Sequence, residues 1–178
     1  MPMETKNLAD LYELAPLNWP DIASRLEGGY DLVPGSGGPD RHSCWLTTLN
    51  PDGSPHVTGL GALWVDGAFW FETGERSRKG RNLARDPRCA LSLALNTVDL
   101  VVEGVAELIA DKAVVADMAQ RWAEGGWPCR VDDSGLALTA DFSAPSAGSP
   151  PWRIYRIAAT AASAVGVDPG GATRWTFD

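Results

Sequence analysis

Hydrophobic and polar residues alternate along much of this chain from residue 44 onwards. In the run 88–95 every second residue from Cys89 to Leu95 is apolar, and the run 98–108 continues the pattern. In the second run the residues predicted to face inward are Val98, Leu100, Val102, Ala106 and Leu108, and those predicted to face outward are Asp99, Glu103 and Glu107. A period of two residues is typical of an antiparallel strand with one buried face. Both runs are therefore predicted to be strands.

Further strand-like runs and turn sequences extend this pattern into a sheet. The runs are 44–49, 55–65, 68–73 and 152–167, with a short last piece at 172–177. Asn50-Pro51-Asp52-Gly53 separates the first two runs, and Asp66-Gly67 has the composition of a two-residue hairpin loop. About six antiparallel strands predict a mainly β fold with accessory helices, closed into a small barrel.

Four segments have helical character instead. They are 7–15, with Leu8, Leu11 and Leu14 at helical spacing after Asn7, then 20–26, 77–85 and 111–124. We interpret residues 1–40 as a helical decoration of a single domain that spans residues 1–178. Residues 125–151 are irregular and rich in Gly, Pro, Ser and Asp. Loops of that length in compact domains are usually functional, so we expect a lid or a subunit-bridging arm.

The helix predicted at 77–85 lies in the most concentrated positive charge of the chain. Arg76, Arg78, Lys79, Arg81, Arg85 and Arg88 are six of its 15 basic residues. Asp86 is the one acid between positions 76 and 88, so this basic segment carries +5 and, with −8 for the whole chain, the remainder carries −13. Ser77 is expected to cap the helix, with Arg78, Arg81 and Arg85 on one face and Gly80, Leu83 and Ala84 on the other. Oriented N–H groups beside cations suit a phosphate, and the alternative is a solvated basic face.

The overall charge changes what the basic segment means. A net charge of −8 and a pI near 4.7 argue against nucleic acid or an anionic membrane as a partner. The local cluster is therefore interpreted as a site for a small anion. Cys44, Cys89 and Cys129 are widely spaced and odd in number, which indicates neither a disulfide framework nor a zinc site. No signal peptide or long apolar run is found, so we expect a cytoplasmic protein.

The run 55–65 has glycines side by side on one predicted surface. Its odd positions include Gly59 and Gly61, flanked by Val57, Leu63 and Val65. Glycine in a strand marks either a bend or bulge, or the close approach of a ligand to the backbone. A flat ring lying there and joined to a phosphate held at 77–85 would describe flavin mononucleotide (FMN).

Several motifs together resemble a known family. T-T-L-N-P-D-G-S-P-H-V-T, W-V-D-G-A-F-W-F-E-T-G, S-R-K-G-R-N-L-A-R-D-P-R and D-L-V-V-E-G follow one another between residues 47 and 104. Over residues 43–110 the chain resembles the pyridoxamine 5′-phosphate oxidase-like, FMN-binding split-barrel family, and the closing G-G-A-T-R-W is similar to a C-terminal motif of many members. The branches of that family include FMN oxidases, deazaflavin (F-420)-dependent reductases and haem-binding proteins.

This resemblance implies a homodimer with two cofactor sites at the subunit interface. The cofactor would be FMN, with the deazaflavin F-420 as the alternative. Its phosphate would meet Arg78, Lys79 and Arg81, near Thr73 at the end of the preceding strand. Its ring would lie along His56, Val57, Thr58 and Gly59. Arg174 and Trp175 would approach the site of a subunit, and Trp64 and Trp175 are candidate neighbours of the ring.

The expected function is an oxidoreductase that transfers hydride to or from a small molecule. The chemistry would be centred on the cofactor, so no catalytic side chain or metal ligand is singled out, and His42 and His56 form no plausible triad. After Arg174 and Trp175 the chain ends in Thr-Phe-Asp, which does not match a basic motif for a second phosphate and so does not favour vitamin B6 oxidation. The alternatives are a non-catalytic flavin or haem carrier, and a scaffold whose basic helix contacts another protein.

Overall fold

The computed structural model describes residues 2–28, 44–95, 97–143, 145–168 and 170–178. Its strands are β1 Glu4–Asn7, β2 Cys44–Leu49, β3 Pro55–Leu60, β4 Leu63–Val65, β5 Ala68–Gly74, β6 Arg88–Leu95, β7 Val98–Leu108, β8 Arg130–Val131, β9 Leu138–Thr139, β10 Trp152–Val167 and β11 Gly170–Thr176. Its helices are α1 Trp19–Glu27, α2 Arg78–Arg85 and α3 Lys112–Glu124, with 3-10 turns at Asp10–Tyr12 and Pro145–Ala147. His42 and the C-terminal part of the predicted decoration lie outside the described residues.

The strands form an antiparallel sheet arranged as a split barrel. The main order is β1-β11-β10-β7-β6-β2-β3, and the β4–β5 hairpin pairs with β10 as well. Trp152–Ile157 of β10 pair with β5, whereas 161–167 pair with β11. After β3, at one end of the main path, the chain reaches β4 within two residues and so returns to the neighbourhood of β10. The predicted mainly β fold with accessory helices is confirmed.

The two predicted turns join neighbouring strands as expected. Gly53 has φ of 82°, and its N–H donates to the carbonyl of Asn50 at 2.9 Å. Asp66 and Gly67 have φ of 50° and 74°, so both central residues of the β4–β5 turn are left-handed. That geometry matches the right-handed twist of the flanking strands, which is why Asp-Gly predicts a hairpin there.

The run 55–65 is two strands, not the single strand predicted. The chain breaks at residues 61–62, where β3, paired with β2, gives way to β4, paired with β5. Gly59 and Gly61 therefore do not share one continuous strand surface. Gly59 is opposite Trp45 on β2, and a Cβ on Gly59 would meet the Trp45 ring at 3.6 Å. This is an ordinary van der Waals distance, so the indole does not by itself require glycine at position 59.

The predicted helix at 7–15 is wrong, because the N-terminal segment is a strand followed by a tight turn. β1 pairs with β11 at the other end of the chain, with Glu4 opposite Thr176. The Asn7 side chain accepts from the N–H of Ala9 at 3.0 Å and donates to the carbonyl of Leu14 at 2.8 Å. These bonds fold the chain back on itself, and the leucines at helical spacing remain exposed. The second predicted helix is confirmed as α1.

Within the described residues, the sheet and the helices enclose two hydrophobic clusters. The first fills the barrel and includes the inward residues of β6 and β7, except that Leu108, predicted inward, is exposed at the last position of its strand. The second lies under α3 and includes Val115, Met118 and Trp122 of that helix. Asp111 caps α3 by accepting from the N–H of Ala113 at 2.8 Å. The segment 125–151 contributes Cys129, Leu138 and Ala147 to this second cluster.

Candidate functional site

The start of α2 is built as predicted from Ser77. This residue has extended backbone angles, and its Oγ accepts from the N–H of Gly80 at 3.0 Å. Thr73, fully buried at the end of β5, places its Oγ1 2.9 Å from the Ser77 Oγ. Capping of this kind leaves the remaining N–H groups of the first turn oriented outward, at the positive end of the helix dipole.

The first turn of α2 lies directly against the end of β5. A Cβ on Gly80 would come within 2.4 Å of the Gly74 carbonyl oxygen, so only glycine fits at this position. Leu83 is buried as predicted, whereas Ala84, also predicted to face the sheet, is exposed. The buried face of α2 instead includes Lys79 and Asn82, which makes it more polar than the sequence pattern indicates.

Three arginines of α2 line an open cleft of about 450 Å³. The residues around it are Asn50, Pro51, Arg78, Arg81, Asn82 and Arg85. Arg81 donates to the Arg76 carbonyl and Arg85 to the Leu49 carbonyl, so two of the guanidinium groups are held by neutral acceptors. No carboxylate of the described residues lies within 4.0 Å of these three side chains. The cleft therefore carries three positive charges without a direct ion pair among the described residues, although Asp52 and Asp86 act on Arg85 electrostatically from outside the lining.

Two asparagines that sequence reasoning did not select organise the floor of this cleft. Asn82 is buried, and its Nδ2 donates to Thr48 Oγ1 at 3.1 Å and to Asn50 Oδ1 at 3.3 Å. The first partner is on β2 and the second is in the turn after it. The Asn50 turn was recognisable from sequence, but its proximity to α2 depends on the tertiary fold and left no local signal.

Lys79 points away from the three arginines into the protein. Only 2% of the residue is exposed, and its Nζ donates to the carbonyl of Ser146 in the Pro145–Ala147 turn. Burial lowers the pKa of Lys79, and the negative charge of Glu72 opposes that effect. The structure thus separates Lys79 from Arg78 and Arg81, with which it was expected to share an anion.

Glu72 is a largely buried acid that sequence reasoning missed. Burial raises its pKa to about 7, against the opposing charge of Lys79 and a hydrogen bond from Ser143. The Ser143 Oγ donates to Oε1 at 3.3 Å, while Oε2 is buried without a partner among the described residues. In the sequence, Glu72 ends a hydrophobic run and looks like a polar strand terminus. Its burial depends on the segment 125–151, which covers that side of β5.

The residues expected along the ring are all on β3. His56 and Thr58 are partly buried, opposite Thr48 and Leu46 on β2. Burial lowers the pKa of His56, and the charges of Arg78 and Lys79 lower it further, so this imidazole lies within the field of the basic segment. Val57 is exposed on the other side of the strand. The Gly59 carbonyl accepts from the Ser146 Oγ at 3.0 Å.

The remaining predicted site residues lie away from the cleft. Trp175 is 1% exposed in the barrel core, with its ring centroid 5.3 Å from that of Trp19. Trp64 packs edge-on against Phe69 at 4.8 Å, and its Nε1 is buried without a partner among the described residues. Arg174 is held on the outside of the sheet by a two-pronged ion pair with Glu103, at 2.8 and 3.0 Å.

The arrangement fits an anionic group in part. The capped start of α2 and the three arginines offer donors and charge to a phosphate or carboxylate in the cleft. The inner part of the expected site, which comprises Lys79 and the Gly59 carbonyl, is bonded to Ser146 instead. Among the described residues no three His, Cys, Asp or Glu side chains come together as a metal site.

Comparison with known proteins gives the family. The family model described as Pyridoxamine 5'-phosphate oxidase matches residues 39–165, and the chain belongs to this family. A protein of Alkalilimnicola ehrlichii named pyridoxine/pyridoxamine 5'-phosphate oxidase is 32% identical over 123 residues. The matched part is 66% of this chain and 60% of that relative, so the chain spans less than two thirds of the relative's length.

Solved structures show the same fold. A conserved hypothetical protein of Mycobacterium tuberculosis matches with a TM-score of 0.57 and 23% identity, covering 90% of this chain and 89% of the other. A heme binding protein of Mycobacterium smegmatis matches with a TM-score of 0.56 and 15% identity, covering 86% and 56%. In the described part of this chain, no helix is long and apolar enough to cross a membrane.

Proposed function

We propose that this protein is a cytoplasmic, homodimeric oxidoreductase that holds FMN, or the deazaflavin F-420, at the α2 cleft. Hydride would pass between the cofactor and a small molecule. The observation that carries the proposal is the capped helix start with Arg78, Arg81 and Arg85 around one cleft, where none of the three forms an ion pair with a carboxylate of the described residues. The phosphate of a soluble ligand would supply negative charge to balance the three arginines of this cleft.

The chain's own groups would bind and orient the cofactor. Arg78 and Arg81 neutralise its phosphate, and free N–H groups in the first turn of α2 donate to the same oxygens. The β3 residues His56, Val57, Thr58 and Gly59 would lie along the ring. FMN, when bound, supplies the hydride acceptor, so the protein's contribution is orientation and charge. Cys89 and Cys129 are buried free thiols, which agrees with a reducing compartment.

The positions of Arg174, Trp64 and Trp175 give them a different part in this proposal. In the structure Arg174 is paired with Glu103 on an exterior strand face, and both tryptophans support the barrel. We propose that Arg174, rather than the buried indole of Trp175, makes the contact to a cofactor. This contact would cross the dimer interface. The substrate is proposed to be a small molecule.

The double variant Arg78→Ala with Arg81→Ala tests the cofactor site. Each arginine lost removes a charge-assisted bond of about 1.5–3 kcal/mol, so the Kd for FMN should rise at least about 100-fold. Arg121→Ala with Arg130→Ala is the matched control, since both residues are outside the cleft lining. Titration calorimetry gives the affinities, and circular dichroism checks the fold. Unchanged FMN affinity in the cleft variant would refute the assignment.

A second candidate function is a non-catalytic flavin or haem carrier. The cleft lining favours it in one respect, because it consists of arginines, asparagines and a proline and contains none of the residue types that usually act as a general acid or base. The absorption spectrum of the purified protein separates the candidates. Flavin bands that bleach with NAD(P)H support the oxidoreductase, stable flavin bands support a carrier, and a Soret band supports haem. Sedimentation velocity tests the dimer.

A further inference from the structure

The Pro145–Ala147 turn lies on the two groups that the proposed function assigns to the inner part of the cofactor site. One is Lys79, whose ammonium donates to the Ser146 carbonyl. The other is Gly59 of β3, whose carbonyl accepts from the Ser146 hydroxyl at 3.0 Å. These groups belong to different elements, α2 and β3, and a single residue of the turn contacts both.

The turn is fitted closely to this position. A Cβ on Gly74 would come within 2.9 Å of both the Ala147 and the Ser149 carbonyl oxygens, so the chain beyond the turn lies against the backbone at the end of β5. Ala147 is buried in the second hydrophobic cluster, and the Gly148 carbonyl accepts from Trp152 Nε1 at 2.9 Å. The segment is therefore seated over the start of α2.

The hydrogen bond from Lys79 to Ser146 stabilises the buried ammonium only weakly. The Ser146 carbonyl is a neutral acceptor, and Glu72, the acid that attracts Lys79 electrostatically, forms no ion pair with it within 4.0 Å and has a raised pKa itself. An ammonium removed from water is stabilised far more by an anion than by a neutral carbonyl. A phosphate that reached Lys79 would therefore replace Ser146 favourably.

We infer that the Pro145–Ala147 turn is a stopper that competes with the cofactor for Lys79 and Gly59. This inference rests on the proposed function. In the structure the turn satisfies both groups and covers the inner site. An FMN phosphate first binds the exposed arginines, and the turn then leaves as Lys79 transfers its hydrogen bond to the phosphate. The stopper lowers the affinity for FMN, because part of the binding free energy is used to displace the turn.

Two variants weaken the stopper by different routes. Ser146→Ala removes the hydroxyl bond to Gly59 and should tighten FMN binding about 2- to 10-fold, the range for one net hydrogen bond. Gly74→Ala pushes a Cβ against two carbonyl oxygens of the segment and should act in the same direction. Ser134→Ala is the control, because Ser134 is in the same 125–151 segment but bonds only to its local turn. Thermal melts check that every variant is folded.

Calorimetry with FMN and backbone hydrogen exchange of residues 146–149 give the readouts. Tighter binding by Ser146→Ala, with faster exchange in the wild-type segment when FMN is saturating, supports the stopper. If FMN binds wild type and Ser146→Ala equally, or its binding slows exchange in the segment, the stopper is refuted while the proposed function stands. If FMN and F-420 bind none of these proteins, both the proposed function and the stopper fail.

Discussion

The buried carboxyl of Glu72 makes the stability of this fold depend on pH in an unusual direction. Its pKa rises from an ordinary value of 4.5 to about 7 because burial disfavours the charged form. A raised pKa in the folded state means that the folded protein binds the proton more tightly than the unfolded chain. The resulting stabilisation is complete below about pH 4.5 and is lost as the pH rises towards about 7.

Glu72→Gln removes this titration while retaining a polar side chain of similar shape. The difference between the two pKa values, at about 1.4 kcal/mol per pH unit, corresponds to at most about 3 kcal/mol. The free energy of unfolding of the variant, relative to that of wild type, should therefore rise by up to about 3 kcal/mol as the pH is raised from about 4 to about 8. The loss of attraction between Glu72 and Lys79 reduces this gain.

Urea unfolding across that pH range measures the effect. The control is Glu27→Gln, at the exposed end of α1, which should change the curves little at any pH. A constant difference between Glu72→Gln and wild type from acid to alkaline pH would show that Glu72 does not titrate near neutrality. The burial argument would then be wrong.

Three further outcomes follow from single contacts. Ser77→Ala should cost about 1 kcal/mol in urea unfolding, because the Gly80 N–H loses its cap, and full stability would contradict the capping role. Burial raises the pKa of Cys89 to about 12 and that of Cys129 to about 11, so iodoacetamide at neutral pH should label neither thiol until the protein is unfolded, as mass spectrometry would reveal. Gly104→Ala should destabilise the fold by roughly 1–3 kcal/mol or more, since its Cβ would come within 2.2 Å of the Ala158 carbonyl oxygen; a wild-type melting temperature would refute the close approach.

Features set by neighbouring residues were predictable from the sequence. The alternation in β6 and β7, the Asp66-Gly67 hairpin and the Ser77 cap each depend on a few consecutive side chains, and the structure confirms all three. The arginine side of α2 could also be read from helical spacing. In each case the local preference agrees with the global fold.

Features set by distant residues were not predictable. The segment at 7–15 has the spacing of a helix, but pairing of β1 with β11, from the other end of the chain, decides its conformation. Lys79 follows Arg78 in a basic run, yet its burial depends on Ser146, 67 residues away. The strand at 55–65 breaks because β3 and β4 have different partners. The pattern of neighbouring residues in a single sequence does not indicate such long-range contacts.

The long strand β10 has a consequence for how the molecule comes apart. Its successive side chains enter different clusters, Ile154 joining the one under α3 and Tyr155 and Ile157 joining the one inside the barrel. Unfolding of either cluster would displace β10, which the other cluster also requires. The two clusters should therefore melt together, in one cooperative transition, although they share no single continuous interior.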